Sequence, residues 1–352
     1  MNRCNRCVMP DTRPGIIFNE QGTCQACLNF DKRSGMRWDQ RETMLSSILQ
    51  EARKQATGYD CVVAVSGGKD SHVLVHEVTR RGLRPLLVNV ADPFTKTAAG
   101  VHNLANLVRT FGCDLVQYHM NTPLFIAATR HDFEALGEPL RLIETMIYTV
   151  PTHFALSLEI PLVVYGEDSA YEYGSSAVHV AAIDVVRDAF NRMGTWSYER
   201  PLPPLRYPIT YTAPRAIFWS HYMPWDGEKN MQVAKRFGFH TLEHEWRRMG
   251  YHEHYDQIDS MGYLIHLWLK FPKFGFARQA DICARWIRAG KMTREEALLD
   301  LVERDSMPDP RALEDFCQVL GYSEKEFWEI ADRWYNKDIF EKEGKLWRMR
   351  KP

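Results

Sequence analysis

The sequence predicts an α/β protein with a doubly wound parallel sheet, an N-terminal zinc ribbon and a mainly helical C-terminal region. Three observations predict it. Short apolar, β-branched runs alternate with amphipathic helical stretches between residues 58 and 200, the pattern of strand–helix–strand units. Two Cys-x2-Cys pairs, Cys4/Cys7 and Cys24/Cys27, open the chain. Beyond about residue 200 the β-branched runs give way to Pro- and aromatic-rich text and then to capped helices.

The first strand sets the rest. Cys61 to Val65 reads as a buried strand, Ser66-Gly67-Gly68 as a turn without bulk, and His72 to Arg81 as a helix with Leu74, Val75 and Val78 on one side. A strand, a glycine turn and a helix start gather backbone N–H groups around one point, where the helix dipole and Lys69 add positive potential. That is a phosphate cradle, with Gly67 and Gly68 admitting an anion that a Cβ would hold off. Asp70 is assigned to a metal ion beside the phosphates. The text is not a Walker A loop, because Val63 occupies the position of its first Gly and Asp70 follows Lys69. Ser66-Gly67-Gly68-Lys69-Asp70-Ser71 instead resembles the PP-loop of the ATP pyrophosphatases. That resemblance implies a HUP-like sheet and ATP cleaved between its α and β phosphates, giving an adenylated substrate and pyrophosphate.

The paired cysteines are separated by 16 residues, from Cys7 to Cys24, which suits a structural four-thiolate zinc site. Disulfides and an iron–sulfur cluster are the alternatives. Residues 1–35 have little core of their own, so metal would supply folding energy, about 10–16 kcal/mol in small zinc domains. Residues 36–57 follow as a connecting helix with Met44, Leu45, Ile48, Leu49 and Ala52 on one face. The ribbon text from Arg6 to Gly15 (Arg-Cys-Val-Met-Pro-Asp-Thr-Arg-Pro-Gly) and from Gly22 to Cys27 (Gly-Thr-Cys-Gln-Ala-Cys), together with the PP-loop, resembles the N-acetyl sugar amidotransferase family of the WbpG and PseA type.

Within residues 58–200 a second strand is expected over Pro85 to Val90, and a helix over 98–111 with Val101, Leu104, Val108 and Phe111 on its stripe. A third strand is expected over Cys113 to Tyr118, a helix over 144–158 interrupted or kinked near Pro151, and a fourth strand over Pro161 to Gly166. Ligands of such sheets bind at the carboxyl ends of strands near a switch in strand order. Asn89 to Asp92, after the second strand, are candidates to line an adenine and ribose pocket. After the fourth strand, Gly166-Glu167-Asp168-Ser169-Ala170-Tyr171-Glu172-Tyr173-Gly174 resembles the family's Gly-Glu-Asn-x-x-Tyr-Glu-Tyr-Gly segment, with Asp168 where the family has Asn. Carboxylates beside phosphates call for Mg2+ between them, which makes Asp70 and Asp168 the magnesium candidates, with Glu167 and Glu172 the alternative metal ligands in that loop. Gly166 is assigned to the nucleotide; Glu167, Glu172 and Tyr173 are assigned to the substrate.

Residues 201–352 begin with Pro201, Pro203, Pro204, Pro208 and Pro214. Tyr222 to Asp226 and Lys229 to Lys235 again resemble the family, and Trp225 is assigned to substrate, since a ring face packs on a pyranose or base. His240 and His244 are i,i+4 neighbours but lack a His-Glu-x-x-His pattern, so they read as surface or core residues. Lys270 to Arg278 looks like the family's Lys-Phe-Gly-Phe-x-Arg segment, and Lys273 and Arg278 are the candidates to hold departing pyrophosphate. The tail is read as helical, with capping boxes at Thr293/Glu296 and Ser323/Glu326 and C-terminal caps at Gly290 and Gly321.

The implied reaction adenylates the N-acetyl oxygen of a nucleotide-linked amino sugar and replaces it with ammonia. The product is an acetamidino sugar for bacterial surface polysaccharide. No Cys-His-Glu glutaminase set is evident, so the resemblance implies a separate glutaminase and ammonia-channelling subunit, similar to the pair of histidine biosynthesis. The rival reading is a tRNA-thiolating PP-loop enzyme. Against it stand the absence of paired cysteines outside the ribbon and a net charge of −1, which offers no basic field for nucleic acid. With no apolar run approaching a membrane span and no apolar leader, a cytoplasmic protein is expected.

Overall fold

The computed structural model describes residues 1–167, 172–174, 214–344 and 346–350. Five strands, β1 (Cys61–Ala64), β2 (Pro85–Ala91), β3 (Asp114–His119), β4 (Leu162–Tyr165) and β5 (Arg215–Phe218), form one parallel sheet in the order β3-β2-β1-β4-β5. The period of two along each strand divides the apolar residues between two cores, one on each face. Val62, Leu86, Val88, Val163 and Phe218 enter one core, while Cys61, Val63, Leu87, Val164 and Ile217 enter the other. The second face is covered by α2 (Trp38–Gln55) and α3 (Lys69–Arg80), through Leu45, Leu49, Leu74, Val75 and Val78. The first is covered by α5 (Thr122–Leu136) and α6 (Arg141–Ser157), through Phe125, Phe133, Leu142, Met146 and Val150. The chain winds outward from β1 to β3 and then returns to the other side of β1. The switch in strand order therefore lies between β1 and β4, where the loops after both strands flank one crevice.

Several expectations need correction. β5 lies past the expected boundary near 200 and completes the sheet, pairing with β4 from Leu162↔Arg215 to Tyr165↔Phe218. Helix α5 had no counterpart in the sequence reading, although its signals were present: the Asn121 side chain caps Leu124 N at 3.0 Å, Pro123 sits in the first turn and Gly137 closes it in the left-handed region. Pro151 does not interrupt α6, which runs continuously from Arg141 to Ser157. Met44 is 54% exposed, one position off the buried stripe of α2. In α4 (Ala98–Phe111), Val101 is 58% exposed, and Asn103, Asn106 and Leu107 are buried instead. Polar side chains hold that face: Asn103 exchanges hydrogen bonds with the His240 backbone, donating to its carbonyl and accepting from its N–H, each at 2.8 Å.

The C-terminal region contains α7 (Gly227–Arg236), α8 (Tyr263–Trp268), α9 (Lys270–Phe274), α10 (Arg278–Arg288), α11 (Arg294–Arg304), α12 (Pro310–Leu320) and α13 (Glu324–Ala331). Both expected capping boxes form, opening α11 and α13, and Gly321 closes α12 at φ 69°. The tail is not helical to its end. Phe340–Glu343 and Leu346–Met349 form an antiparallel hairpin, β6 and β7, because Trp347 buries against Trp268 and Trp328, with ring centroids 5.7 and 5.6 Å apart.

The ribbon ends in α1 (Gln25–Ser34), which carries Cys27. Its cysteines, Val8 and Met9 share a third core with Phe276, Ala280, Cys283 and Ala284 of the α10 segment and with Ala297 and Leu301 of α11. A segment too short to bury its own apolar surface has borrowed a face from the far end of the chain.

Candidate functional site

The loop after β1 is built largely from its own side chains. Ser66 N donates to Ser71 Oγ at 3.0 Å and Gly68 N to Ser66 Oγ at 3.2 Å. Gly67 holds φ +90°, and a Cβ there would lie 3.0 Å from Leu104 N, so glycine is required on both counts. Helix α3 begins at Lys69 with Gly68 as its N-cap and no side-chain cap, which leaves its first-turn amides to an external acceptor. Behind the loop His72 is a strut. Its Nδ1–H donates to Gly68 O at 3.0 Å and its Nε2 accepts from Asn106 Nδ2 at 3.2 Å. Burial lowers the His72 pKa and favours the neutral ring that this pairing needs. Asn89 also braces the loop: it donates to Val65 O at 2.9 Å and accepts from Gln117 at 3.1 Å. Its amide makes both of these bonds within the sheet.

Lys69 is 4% exposed. Its Nζ donates to Asp70 Oδ2 at 2.8 Å and Asp256 Oδ1 at 3.4 Å, while Asn230 of α7 holds the other Asp70 oxygen at 2.7 Å. Asp256, 5% exposed, is the hub. Its Oδ2 accepts from Arg278 Nε at 2.9 Å and Nη2 at 2.5 Å, with Arg285 Nη2 at 3.7 Å. Burial disfavours the Asp256 charge, but Arg278, Lys69 and Arg285 outweigh it and hold the carboxyl well below its ordinary range. Burial likewise opposes the Lys69 charge, and Asp70 and Asp256 overcome it, raising that pKa. Arg248 fixes the hub by donating to the carbonyls of Asp256 (2.7 Å), Gln257 (2.8 Å) and Glu253 (2.5 Å), and Gln257 takes a left-handed φ of 50°.

From the loop after β4, Tyr173 OH accepts from Arg278 Nη1 at 2.9 Å. Glu172 pairs with Arg33 of α1, and Arg33 also donates to Trp225 O at 3.3 Å. Burial, then Glu172, push the Glu167 carboxyl up to about 7. A Cβ on Gly166 would lie 3.4 Å from the Trp225 ring. The structure thus brings Lys69, Asp70, Arg278 and Tyr173 into one hydrogen-bonded cluster, with Glu172 and Trp225 linked through Arg33. It does not bring Lys273 there: that ammonium donates to Gly137 O at 3.2 Å and Glu138 at 3.1 Å, at the end of α5. Asp168 lies outside the described residues. Sequence reasoning missed Asp256, Arg285, Arg248 and Arg33, none of which sits in a recognisable motif. Asn230 lies inside the Lys229–Lys235 segment, whose text alone does not point to Asp70.

The four cysteine sulfurs, all fully buried, lie within 4.8 Å of one another. Cys4 Sγ accepts from Cys7 N at 3.5 Å and Cys24 N at 3.3 Å, the amide-to-sulfur bonding that stabilises thiolates. The donor set fits a closed, structural Zn2+ site.

Residues 234–351 match the family model described as "LPS biosynthesis protein WbpG-like, C-terminal domain". No curated protein matches the chain. Among the described residues no helix is long and apolar enough to cross a membrane.

Proposed function

We propose that the chain is an ATP-dependent amidotransferase of lipopolysaccharide biosynthesis. It would adenylate the N-acetyl oxygen of a nucleotide-linked amino sugar and replace that oxygen with ammonia. One observation carries the reading. Lys69 of the loop after β1 and Arg278 of α10, far apart in sequence, converge on Asp256 beside an uncapped helix N-terminus at the strand-order switch. Such a site suits a polyphosphate. The match of residues 234–351 to the WbpG-like C-terminal domain supplies the biosynthetic context.

An amide oxygen is a poor leaving group. ATP supplies the adenylyl group that turns it into a good one, with pyrophosphate leaving; ammonia then adds to the carbon and AMP departs. In this reading Lys69 and the first-turn amides of α3 hold the phosphate charge, and Arg278 and Arg285 hold the pyrophosphate as it leaves. Asp70 fits one oxygen ligand of a magnesium ion at the loop. Glu167, Glu172, Tyr173 and Trp225 bound the acceptor side. Ammonia comes from a separate glutaminase and its channelling subunit, and the reaction is cytoplasmic.

Purified protein given Mg-ATP, ammonium at mildly alkaline pH and a panel of UDP- and CMP-linked N-acetyl sugars tests this. The expected result is pyrophosphate and AMP in equal amounts, with a sugar product whose mass corresponds to O replaced by NH. Lys69→Ala abolishes both signals. Pyrophosphate release triggered by unmodified tRNA instead would replace this reading with thiolation.

A further inference from the structure

The ribbon reaches the segment after β4 along its length. Arg33 pairs with Glu172, Arg13 lies over the Tyr173 ring with its guanidinium carbon 4.6 Å from the centroid, and a side chain at Gly174 would collide with the Ala26 amide. Arg13 also donates to Asp281 Oδ1 at 2.5 Å. Tyr173 and Asp281 are both partners of Arg278, the first at 2.9 Å through its hydroxyl and the second at 3.6 Å. Burial disfavours the Asp281 charge, yet Arg13, Lys270 and Arg278 outweigh it and hold the carboxyl down at about 2.

The ribbon is itself pinned at its metal end. Arg294 donates to the carbonyls of Cys4 at 3.1 Å and Cys7 at 3.0 Å, Arg3 donates to Gly275 O at 3.2 Å and Thr12 to Phe274 O at 2.5 Å. The four-cysteine knot therefore sets where Arg13 stands.

We propose that Arg13 is a positioning residue for the nucleotide site, and that the ribbon forms one wall of that site by holding Tyr173 and Asp281 around Arg278. The inference rests on the reading of the Lys69–Arg278 cluster as the seat of the ATP phosphates. Arg13 acts through Tyr173 and Asp281. Its planar face fixes the Tyr173 ring while its charge fixes Asp281, so Arg278 is left with one orientation.

Calorimetric titration of the zinc-loaded full chain with Mg-ATP tests it. Wild type is compared with Arg13→Met, Arg13→Lys, Tyr173→Phe and the Arg13→Met/Tyr173→Phe double variant. Each is checked for zinc stoichiometry by native mass spectrometry and for folding by thermal melting. Arg13→Met and Tyr173→Phe should each weaken ATP about tenfold, and the double variant should be no weaker than the poorer single, because both act through Arg278. Arg13→Lys, which keeps the charge facing Asp281 but loses the stacking face, should recover part of the loss. A merely structural role would lower the melting temperature and leave the affinity of folded protein unchanged. The inference is overturned alone if wild type binds ATP and Arg13→Met binds within about twofold of it, or if the losses multiply in the double variant. Wild type that binds no ATP overturns both the parent reading and this one. If Arg13→Met fails to load zinc, the cycle is run with Arg13→Lys and Tyr173→Phe, and the same additivity criterion decides.

Discussion

Replacing Asp256 by Asn keeps the shape of the hub and removes its charge. Arg278, Lys69 and Arg285 then share a neutral partner in a buried setting, with contacts of 2.5–2.9 Å, 3.4 Å and 3.7 Å to the original carboxylate. Removing one member of a buried ion pair costs about 3–5 kcal/mol. At about 2.1 cal/mol/K of unfolding entropy per residue, a chain of 352 residues loses on the order of 4–7 °C in Tm for that change. Because the folded-state pKa of Asp256 is depressed, its contribution is present above the ordinary Asp value and lost as pH falls through the folded one. Melting at pH 7 is therefore the sensitive condition. Millimolar pyrophosphate should raise the Tm of the variant more than that of wild type, since the released cations take up the added anion. A variant that melts within about 1 °C of wild type would refute the hub as a charge clamp. An equal pyrophosphate response in both proteins would refute its place at an anion site.

Gly67→Ala forces a Cβ into a backbone at φ +90° and against Leu104 N, and should cost about 1–3 kcal/mol with loss of ATP binding, measured by urea unfolding and calorimetry. Asp305 is buried, with one oxygen accepting from Ala277 N at 2.9 Å and the other without a hydrogen bond among the described residues, and burial pushes its pKa up to about 7. A raised carboxyl pKa means that stability falls as pH rises from about 4 toward 7, so Asp305→Asn should gain stability over wild type at pH 8 and little at pH 4, read from paired melts. Cys24→Ser, or chelation, should release zinc and open the ribbon to protease while exposing its shared face on Phe276 and Ala280, followed by zinc content and limited proteolysis. Thr293→Ala removes the capping box of α11 and should cost about 1 kcal/mol in chemical denaturation.

What was legible in the sequence was local. The strand, glycine turn and helix from Cys61 to Arg80 announce themselves because backbone, burial and turn chemistry agree over a few residues. The four cysteines and both capping boxes are legible for the same reason. What was hidden depends on distance or on a partner surface. Asp256 has an unremarkable neighbourhood in sequence and gains meaning only when Lys69, Arg278 and Arg285 arrive. Val101 was misread because α4 buries asparagines that hydrogen-bond to the chain around Phe237 and His240, so its hydrophobic stripe is not its packed face. Lys273 looked basic and well placed beside Arg278, yet a turn of φ 76° at Gly275 separates their helices and leaves Lys273 on the α5 side.

The shared core of the ribbon has a consequence for the order of manufacture. The residues that hold the ribbon, Phe274, Gly275, Asp281 and Arg294, lie 262 to 290 positions after their partners Thr12, Arg3, Arg13 and Cys4, so the ribbon leaves the ribosome well before the surface it docks on. At about 5–20 residues per second the ribbon waits roughly 13–58 s for a surface to close on. During that interval a bound zinc ion would be its main means of staying folded, and Arg13 would have nothing to position. Nascent chains stalled before Phe274 should therefore carry zinc and bind no nucleotide. Synthesis of the stretch from Phe274 to Arg294 would convert a small four-cysteine knot into the wall of a site.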